Sequence, residues 1–481
     1  MSAVALAAQQ GCCAFTCTRT HHRTQQQPLP SATQPPSLSR RRQRTATRAA
    51  SSGTASQPGG SAAAREAVIT KDYLAWAQQS GIVSPKVTQA YFGELRGAAA
   101  VEDIAPDEVF VTVPRAAALV VAPNERCPCP DFVDPGFYKE APWYVKMAVL
   151  LLWERQKERA SPVWGYIEQL PASIDTPVRW SEAELAELQY AHAIGEIRQQ
   201  QASWRQQYER FCKAVQPGVG CSFAWEEDFL WAMENVRSRA FSGPYTGSSV
   251  GEKARTLGLL LAAGGAYALW QQLPLEQALN AFISVLVFNI IYDLLISKKL
   301  KWYALCPVVD AINHSSLVES EVAYEYFRDT FVLSTKSAYK KGQQVFISYG
   351  AQSNGSLLQY YAFTERGNPN DVYVWQASIG GQQVQMTVNA KGSFAAECQA
   401  AVRGALGASG GDDAAVRRVL YEAAEAELAS KPTSAADDER LLQTAHLMAP
   451  RQRAAAEFRL EKKRLLERAA AKARKRLDKA A

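Results

Sequence analysis

Val308-Val309-Asp310-Ala311-Ile312-Asn313-His314 is an apolar run that ends in Asp-x-x-Asn-His. Once desolvated, an Asp, an Asn and a His each need hydrogen-bond partners, so a chain that brings all three to the end of a buried segment has a use for them. Some thirty-five residues on, a β-rich run closes in Phe346-Ile347-Ser348-Tyr349-Gly350, and Ser353-Asn354 and Asn368-Pro369-Asn370-Asp371 follow. His314 by itself reads as a satisfied structural histidine, and Tyr349 by itself as a strand aromatic. Their order and spacing together point to one shared pocket.

The chain has 481 residues, enough for two folded domains and a tail. Its formal charge of +6 is concentrated at the two ends, which gives no argument for nucleic-acid binding. The nine cysteines show no metal spacing. Cys127-Pro128-Cys129 is a lone C-x-C and reads as loop, so no metal is expected. No Asp or Glu precedes Glu66 and no Lys precedes Lys71, while Arg40-Arg41-Arg42-Gln43-Arg44 is a basic cluster. An acid-free, Ser/Arg-rich leader reads as an organelle transit peptide over 1–50, followed by a disordered linker over 51–69; a retained basic arm is the rival.

These motifs resemble the SET-domain protein lysine methyltransferases, and more narrowly the branch that contains the plant Rubisco large-subunit methyltransferase. The resemblance spans roughly 70–375 and implies an α+β fold: a β-rich SET domain over 70–372 carrying a large helical insertion at about 135–300. A mainly helical substrate-binding domain over 373–481 follows. No cysteine-rich zinc module follows Tyr349, which points away from chromatin. The implied cofactor is S-adenosyl-L-methionine. The implied partner is a protein substrate, Rubisco large subunit or another stromal protein. The enzyme is expected to be a monomer in the chloroplast stroma.

Residue by residue, the family's Gly-rich turn falls on Gly93-Glu94-Leu95-Arg96-Gly97, so Glu94 and Arg96 are cofactor candidates, with Arg96 standing where the family has Leu. Apolar spacing predicts a helix over 66–95 and a strand over Val109 to Val113. Pro142 suits a helix N1 position, with Val145, Ala148, Val149, Leu152 and Trp153 on the apolar face. Ser181 and Glu184 make a capping box. The insertion ends at Val236-Arg237-Ser238-Arg239, where Arg239 is the candidate for the cofactor carboxylate and substrate side, and Arg237 competes for the role. Asn313 and His314 are implied to bind cofactor, and Tyr349 to supply the catalytic hydroxyl. Tyr361 and Phe363 would line the lysine channel, although Tyr361-Ala362-Phe363 replaces the more usual Tyr-Gly-Phe.

Between 256 and 292 the one charged residue is Glu276. Thr256 to Leu275 is long enough to span a membrane by length alone, and Lys298-Lys299-Leu300-Lys301 would make a basic flank. A pair of buried helices packed on the core is the preferred reading, with membrane association through 256–296 as the rival. Strands are expected at Val322–Phe327 and Phe331–Leu333, and a hairpin turn at Gly380-Gly381. The last helix carries Phe458, Leu465, Ala469, Ala473 and Leu477 on one stripe, its Arg and Lys residues forming a solvated face.

Methyl transfer from a sulfonium to lysine is an in-line displacement that needs a neutral amine. With an unperturbed lysine pKa near 10.4, deprotonation at pH 8 costs roughly 3 kcal/mol, and desolvation beside a cation lowers that figure. Alignment and oxygen atoms around the methyl replace a general base. Two alternatives stand: a histidine-directed methyltransferase, and a catalytically silent SET scaffold at a plastid membrane.

Overall fold

The computed structural model describes residues 62–92, 95–123, 125–219, 226–244, 250–291, 301–407 and 412–478. Helix α1 (Ala62–Gln79) opens the described chain. It starts inside the segment expected to be linker and stops well short of residue 95. Gly81, at φ 76°, turns the chain there, and the β-branched pair Val87-Thr88 favours extended backbone. Strands β1 (Val87–Phe92) and β2 (Leu95–Ala100) then pair as an antiparallel hairpin, Phe92 opposite Leu95. Candidate Glu94 lies outside the described residues, as does the leader expected over 1–50. Strands β3 (Val109–Pro114) and β4 (Leu119–Val121) complete this part.

The helical insertion follows: α2 (Pro135–Glu140), α3 (Trp143–Gln156), α4 (Trp164–Ile167), α5 (Glu182–Ala186), α6 (Ala191–Ala214) and α7 (Glu226–Arg239). Pro142 takes the N-cap of α3, one position before the N1 site expected. Met147, Leu150 and Leu151 of α3 are buried along with the expected face, and Trp153 is half-buried, because α3 is surrounded by its own core. The capping box is present: Glu184 N–H donates to Ser181 Oγ at 3.3 Å and Ser181 N–H to the Glu184 carboxylate at 2.8 Å.

Helix α7 runs directly into β5 (Ala240–Pro244), and two helices, α8 (Val250–Trp270) and α9 (Leu275–Ile291), precede β6 (Lys301–Leu305). The turn that separates α8 from α9 breaks the apolar run, and no described helix is long and apolar enough to cross a membrane. Nor are α8 and α9 buried. Leu260, Leu261, Trp270, Leu275, Phe288 and Ile290 are all exposed, so the expected packing against the core is corrected.

Four further strands, β7 (Asn313–His314), β8 (Ser320–Glu325), β9 (Thr330–Thr335) and β10 (Gln344–Ile347), build the sheets. Their orders are β1-β2-β10-β7, β3-β9-β8 and β4-β6-β5. Phe110, Val111, Val113, Trp302, Phe331, Leu333, Val345 and Ile347 fill the space between them. After α10 (Asn354–Tyr361), the hairpin of β11 (Val372–Ile379) and β12 (Gln382–Asn389) turns at Gly380 and Gly381, both at positive φ as the sequence requires. Helices α11 (Ala396–Leu406), α12 (Asp413–Ala429), α13 (Ala435–Leu442) and α14 (Pro450–Asp478) end the described chain.

The expected stripe of α14 is buried at Phe458, Leu465, Ala469 and Ala473, with Leu477 half-buried. Its basic side is not uniformly solvated. Arg459, Lys462 and Lys463 are buried, paired with Asp438 and Glu187, with Asp371, and with Asp438 respectively. Desolvated cations require such partners, and a hydropathy stripe does not disclose where the carboxylates are.

Candidate functional site

Parallel pairing of β7 with β10 sets Asn313 opposite Phe346 and His314 opposite Ile347. That register carries Tyr349, just past β10, back over the Asp-x-x-Asn-His segment. The Tyr349 hydroxyl donates to the Ile312 carbonyl at 2.8 Å, and its backbone N–H donates to His314 Nδ1 at 3.0 Å. The two rings stack with centroids 5.0 Å apart. On its other side Tyr349 stacks on Tyr361, also at 5.0 Å, and Phe363 closes the group, 6.3 Å from Tyr361 and 6.2 Å from His314.

Burial pushes the Tyr349 phenol well above its ordinary pKa, so it stays protonated, and Arg239 opposes the shift without reversing it. With its proton committed to Ile312, the phenol oxygen keeps lone pairs that can accept. Burial holds His314 below its ordinary pKa. A neutral ring whose Nδ1 accepts a hydrogen bond carries its proton on Nε2, and that atom faces Glu365 Oε2 at 3.7 Å.

Asp310 is the post that fixes the segment. Its carboxylate accepts from the Tyr166 hydroxyl at 2.8 Å and from Arg239 Nη1 at 3.3 Å; the same nitrogen donates to the Asp310 carbonyl at 3.1 Å. Val308, β-branched and at φ 70°, is held in a strained conformation, with its N–H donating to the buried Tyr73 hydroxyl at 2.8 Å. Asn313 Nδ2 donates to the Arg96 carbonyl at 3.0 Å, which ties β7 to β2. Gly97 permits that approach: a Cβ there would sit 2.7 Å from Asn313 Nδ2.

A second network backs the first. The fully buried Asn354 takes both oxygens of Asp371 and both backbone groups of Glu365, and Asn368 joins its Oδ1 at 3.2 Å. Lys462 of α14 closes it with a 2.6 Å contact to Asp371. So Ser353-Asn354 and Asn368-Pro369-Asn370-Asp371 do meet, and the C-terminal helices complete their hydrogen bonds.

The structure therefore gathers Tyr349, His314, Asn313, Tyr361, Phe363 and Arg239 around Asp310 and Ile312. Arg96 joins through its carbonyl, while its guanidinium reaches the Gln169 carbonyl at 3.3 Å. Arg237 lies elsewhere, over the ring of Tyr360 at 4.0 Å and near Trp143 and Tyr144. Sequence reasoning missed Tyr73, Tyr166, Glu365 and Lys462. Their partners are distant in the chain, and no local spacing marks them.

Comparison with known proteins supplies the frame. Residues 391–466 match the family described as Rubisco LSMT substrate-binding. A solved structure of Rubisco LSMT bound to sinefungin and monomethyllysine superposes with a TM-score of 0.58 at 19% identity, over 85% of this chain and 93% of that one. A structure of Rubisco LSMT bound to AdoMet gives 0.57 at 18%, over 85% and 92%. This chain has the Rubisco LSMT type of SET fold.

The LSMT-type core here also resembles curated relatives of another name. The actin-histidine N-methyltransferase of Homo sapiens is 24% identical over 311 residues, 62% of this chain and 43% of that protein; the one of Rattus norvegicus matches to the same extent. The chain thus spans less than half the length of the curated relatives it matches.

Proposed function

We propose that this protein is an S-adenosylmethionine-dependent protein-lysine N-methyltransferase acting on a chloroplast protein. The observation that carries the reading is the buried Tyr349 hydroxyl, pinned to Ile312 among Tyr361, Phe363 and His314. The residues present fit a carboxylate-bearing cofactor. Arg239 Nε is buried and has no hydrogen-bond partner among the described residues, a cationic donor in want of an anion beside the strained Val308–Asp310 turn.

Arg239 would take the cofactor's carboxylate, and the backbone of Asn313 and His314 its polar flank. When bound, the cofactor supplies an electrophilic methyl on a sulfonium. The chain's own groups do the rest. Tyr349 offers its oxygen and the nearby carbonyls as weak CH···O acceptors, and Tyr361 and Phe363 enclose an aliphatic side chain. Their rings exclude water, which favours the neutral amine. His314 faces the Glu365 carboxylate at 3.7 Å, but methyl transfer to a neutral amine requires no base from that pair.

The relatives named for actin histidine favour a second reading, a histidine target. The two differ in pH dependence. A lysine substrate must lose a proton whose ordinary pKa is about 10.4, whereas a histidine with an ordinary pKa of about 6.5 is already neutral at pH 8. The test is incubation of the protein with labelled S-adenosylmethionine and stromal extract, followed by identification of the modified residue. Label on a lysine of a plastid protein supports the proposal, label on histidine selects the second reading, and absence of any label with intact cofactor binding overturns both.

A further inference from the structure

The proposed reaction makes no use of α8 and α9. Strands β5 and β6 are antiparallel neighbours with Pro244 opposite Lys301, so everything from 245 to 300 is an insertion at the turn of one β-hairpin. Helices α8 and α9 pack on each other, the half-buried positions Ala278, Phe282 and Leu286 recurring four apart along one stripe of α9. The remaining described surface presents apolar side chains all round, interrupted on one side of α9 by the exposed Gln277, Asn280 and Ser284. At about 100° per residue, the exposed Leu275, Ile283, Ile291, Phe288 and Val285 point in turn around the whole circumference of α9.

A protein partner covers one face of a hairpin and leaves the opposite face in water. Helices exposing this much apolar surface belong in a core or a bilayer, and no core of described residues covers these. Their dimensions fix how they enter. Helix α8, at about 31 Å, matches the roughly 30 Å of hydrocarbon, but α9, at about 25 Å, falls short of it, so the pair does not span together. The tip carries the exposed polar residues Gln271, Gln272 and Glu276, which a crossing hairpin would have to carry through the hydrocarbon to the far headgroups. Laid flat, the hairpin returns both tip and base to the headgroups. The base is basic: Arg255 and Lys301 are exposed, Lys253 precedes them, and Lys298 and Lys299 stand before β6 in the sequence.

We propose that the α8–α9 hairpin is a surface anchor that lies within one leaflet of a membrane bearing acidic headgroups. It holds the site at the bilayer, so the proteins it meets are those at or near that surface. This stands independently of the reaction proposed above.

The experiment is co-sedimentation of the full chain with vesicles of phosphatidylcholine containing phosphatidylglycerol, and with vesicles of phosphatidylcholine alone. In one variant an Asn-Gly turn replaces 245–300, joining Pro244 to Lys301, a connection that suits a two-residue β-hairpin. In another, the exposed Leu260→Asp and Phe288→Asp are combined. Calorimetry with S-adenosylmethionine reports that each variant keeps its core. The full chain is expected to pellet with the acidic vesicles and both variants to stay in solution, and Arg255→Gln to lower partitioning about fivefold. Brominated lipid should quench emission in the parent protein and quench less in Trp270→Phe, since Trp270 is exposed near the hairpin tip. The proposal fails if the full chain ignores both vesicle types, if the hairpin-less variant binds them equally well, or if light scattering shows a hairpin-dependent dimer that does not bind lipid.

Discussion

Replacing Arg239 by lysine separates the two jobs the guanidinium is positioned to do. Nη1 serves both the Asp310 carbonyl at 3.1 Å and its carboxylate at 3.3 Å, while Nε is buried with no partner among the described residues. A lysine keeps the charge that offsets Asp310, so the fold should tolerate it. It cannot present a second donor on the far side of a planar group. If that donor holds a cofactor carboxylate, its loss is worth about 1.5–3 kcal/mol, roughly a ten- to hundredfold rise in Kd. Calorimetric titration with S-adenosylmethionine measures this directly, with thermal unfolding run alongside. Arg237→Lys is the comparator and should bind normally, because its guanidinium lies over Tyr360. If Arg239→Lys binds within about twofold of the parent while Tm is unchanged, Arg239 is an internal strut and the proposed cofactor contact is wrong.

Tyr349→Phe removes the 2.8 Å bond to Ile312 and leaves that carbonyl unpaired, a loss of about 1–3 kcal/mol. Turnover should fall at least about tenfold with cofactor affinity little changed, as read by label incorporation at saturating donor; unchanged turnover removes the phenol from the reaction. Gly97→Ala forces a Cβ to within 2.7 Å of Asn313 Nδ2, so Tm and cofactor affinity should drop together, by about 1–3 kcal/mol in stability. His314, held below its ordinary pKa by burial, is neutral in the folded protein, while the unfolded chain takes up a proton near pH 6.5. Stability should therefore decline as pH falls below about 6.5 toward the lower folded pKa, and His314→Gln should flatten that limb of a Tm-against-pH series.

What the sequence disclosed, and what it did not, follows from the range of each interaction. Motifs whose meaning is local or set by strand register were legible. Asn313-His314 and Tyr349 meet because β7 and β10 pair side by side, and Gly380-Gly381 turns a hairpin because only glycine adopts such φ values freely. The 66–95 helix was overextended because apolar spacing does not show where Gly81 reverses the chain. The expected burial of α8 and α9 follows from the breaks at Gly264-Gly265, Gln271-Gln272 and Pro274 and from the family resemblance, neither of which shows whether this fold provides a cover. The buried cations of α14 were hidden for the opposite reason: Lys462 looks like its solvated neighbours until Asp371, far away in the chain, is brought against it.

That last pairing makes the boundary near residue 372 deceptive. Cutting the chain there would strip the cation from a carboxylate that also steadies Asn354, and through it the turn bearing Glu365 beside His314. The tail is thus a keystone rather than an appendage, and a shortened protein ending after Asp371 should lose the ordered pocket even though every proposed contact residue is still present.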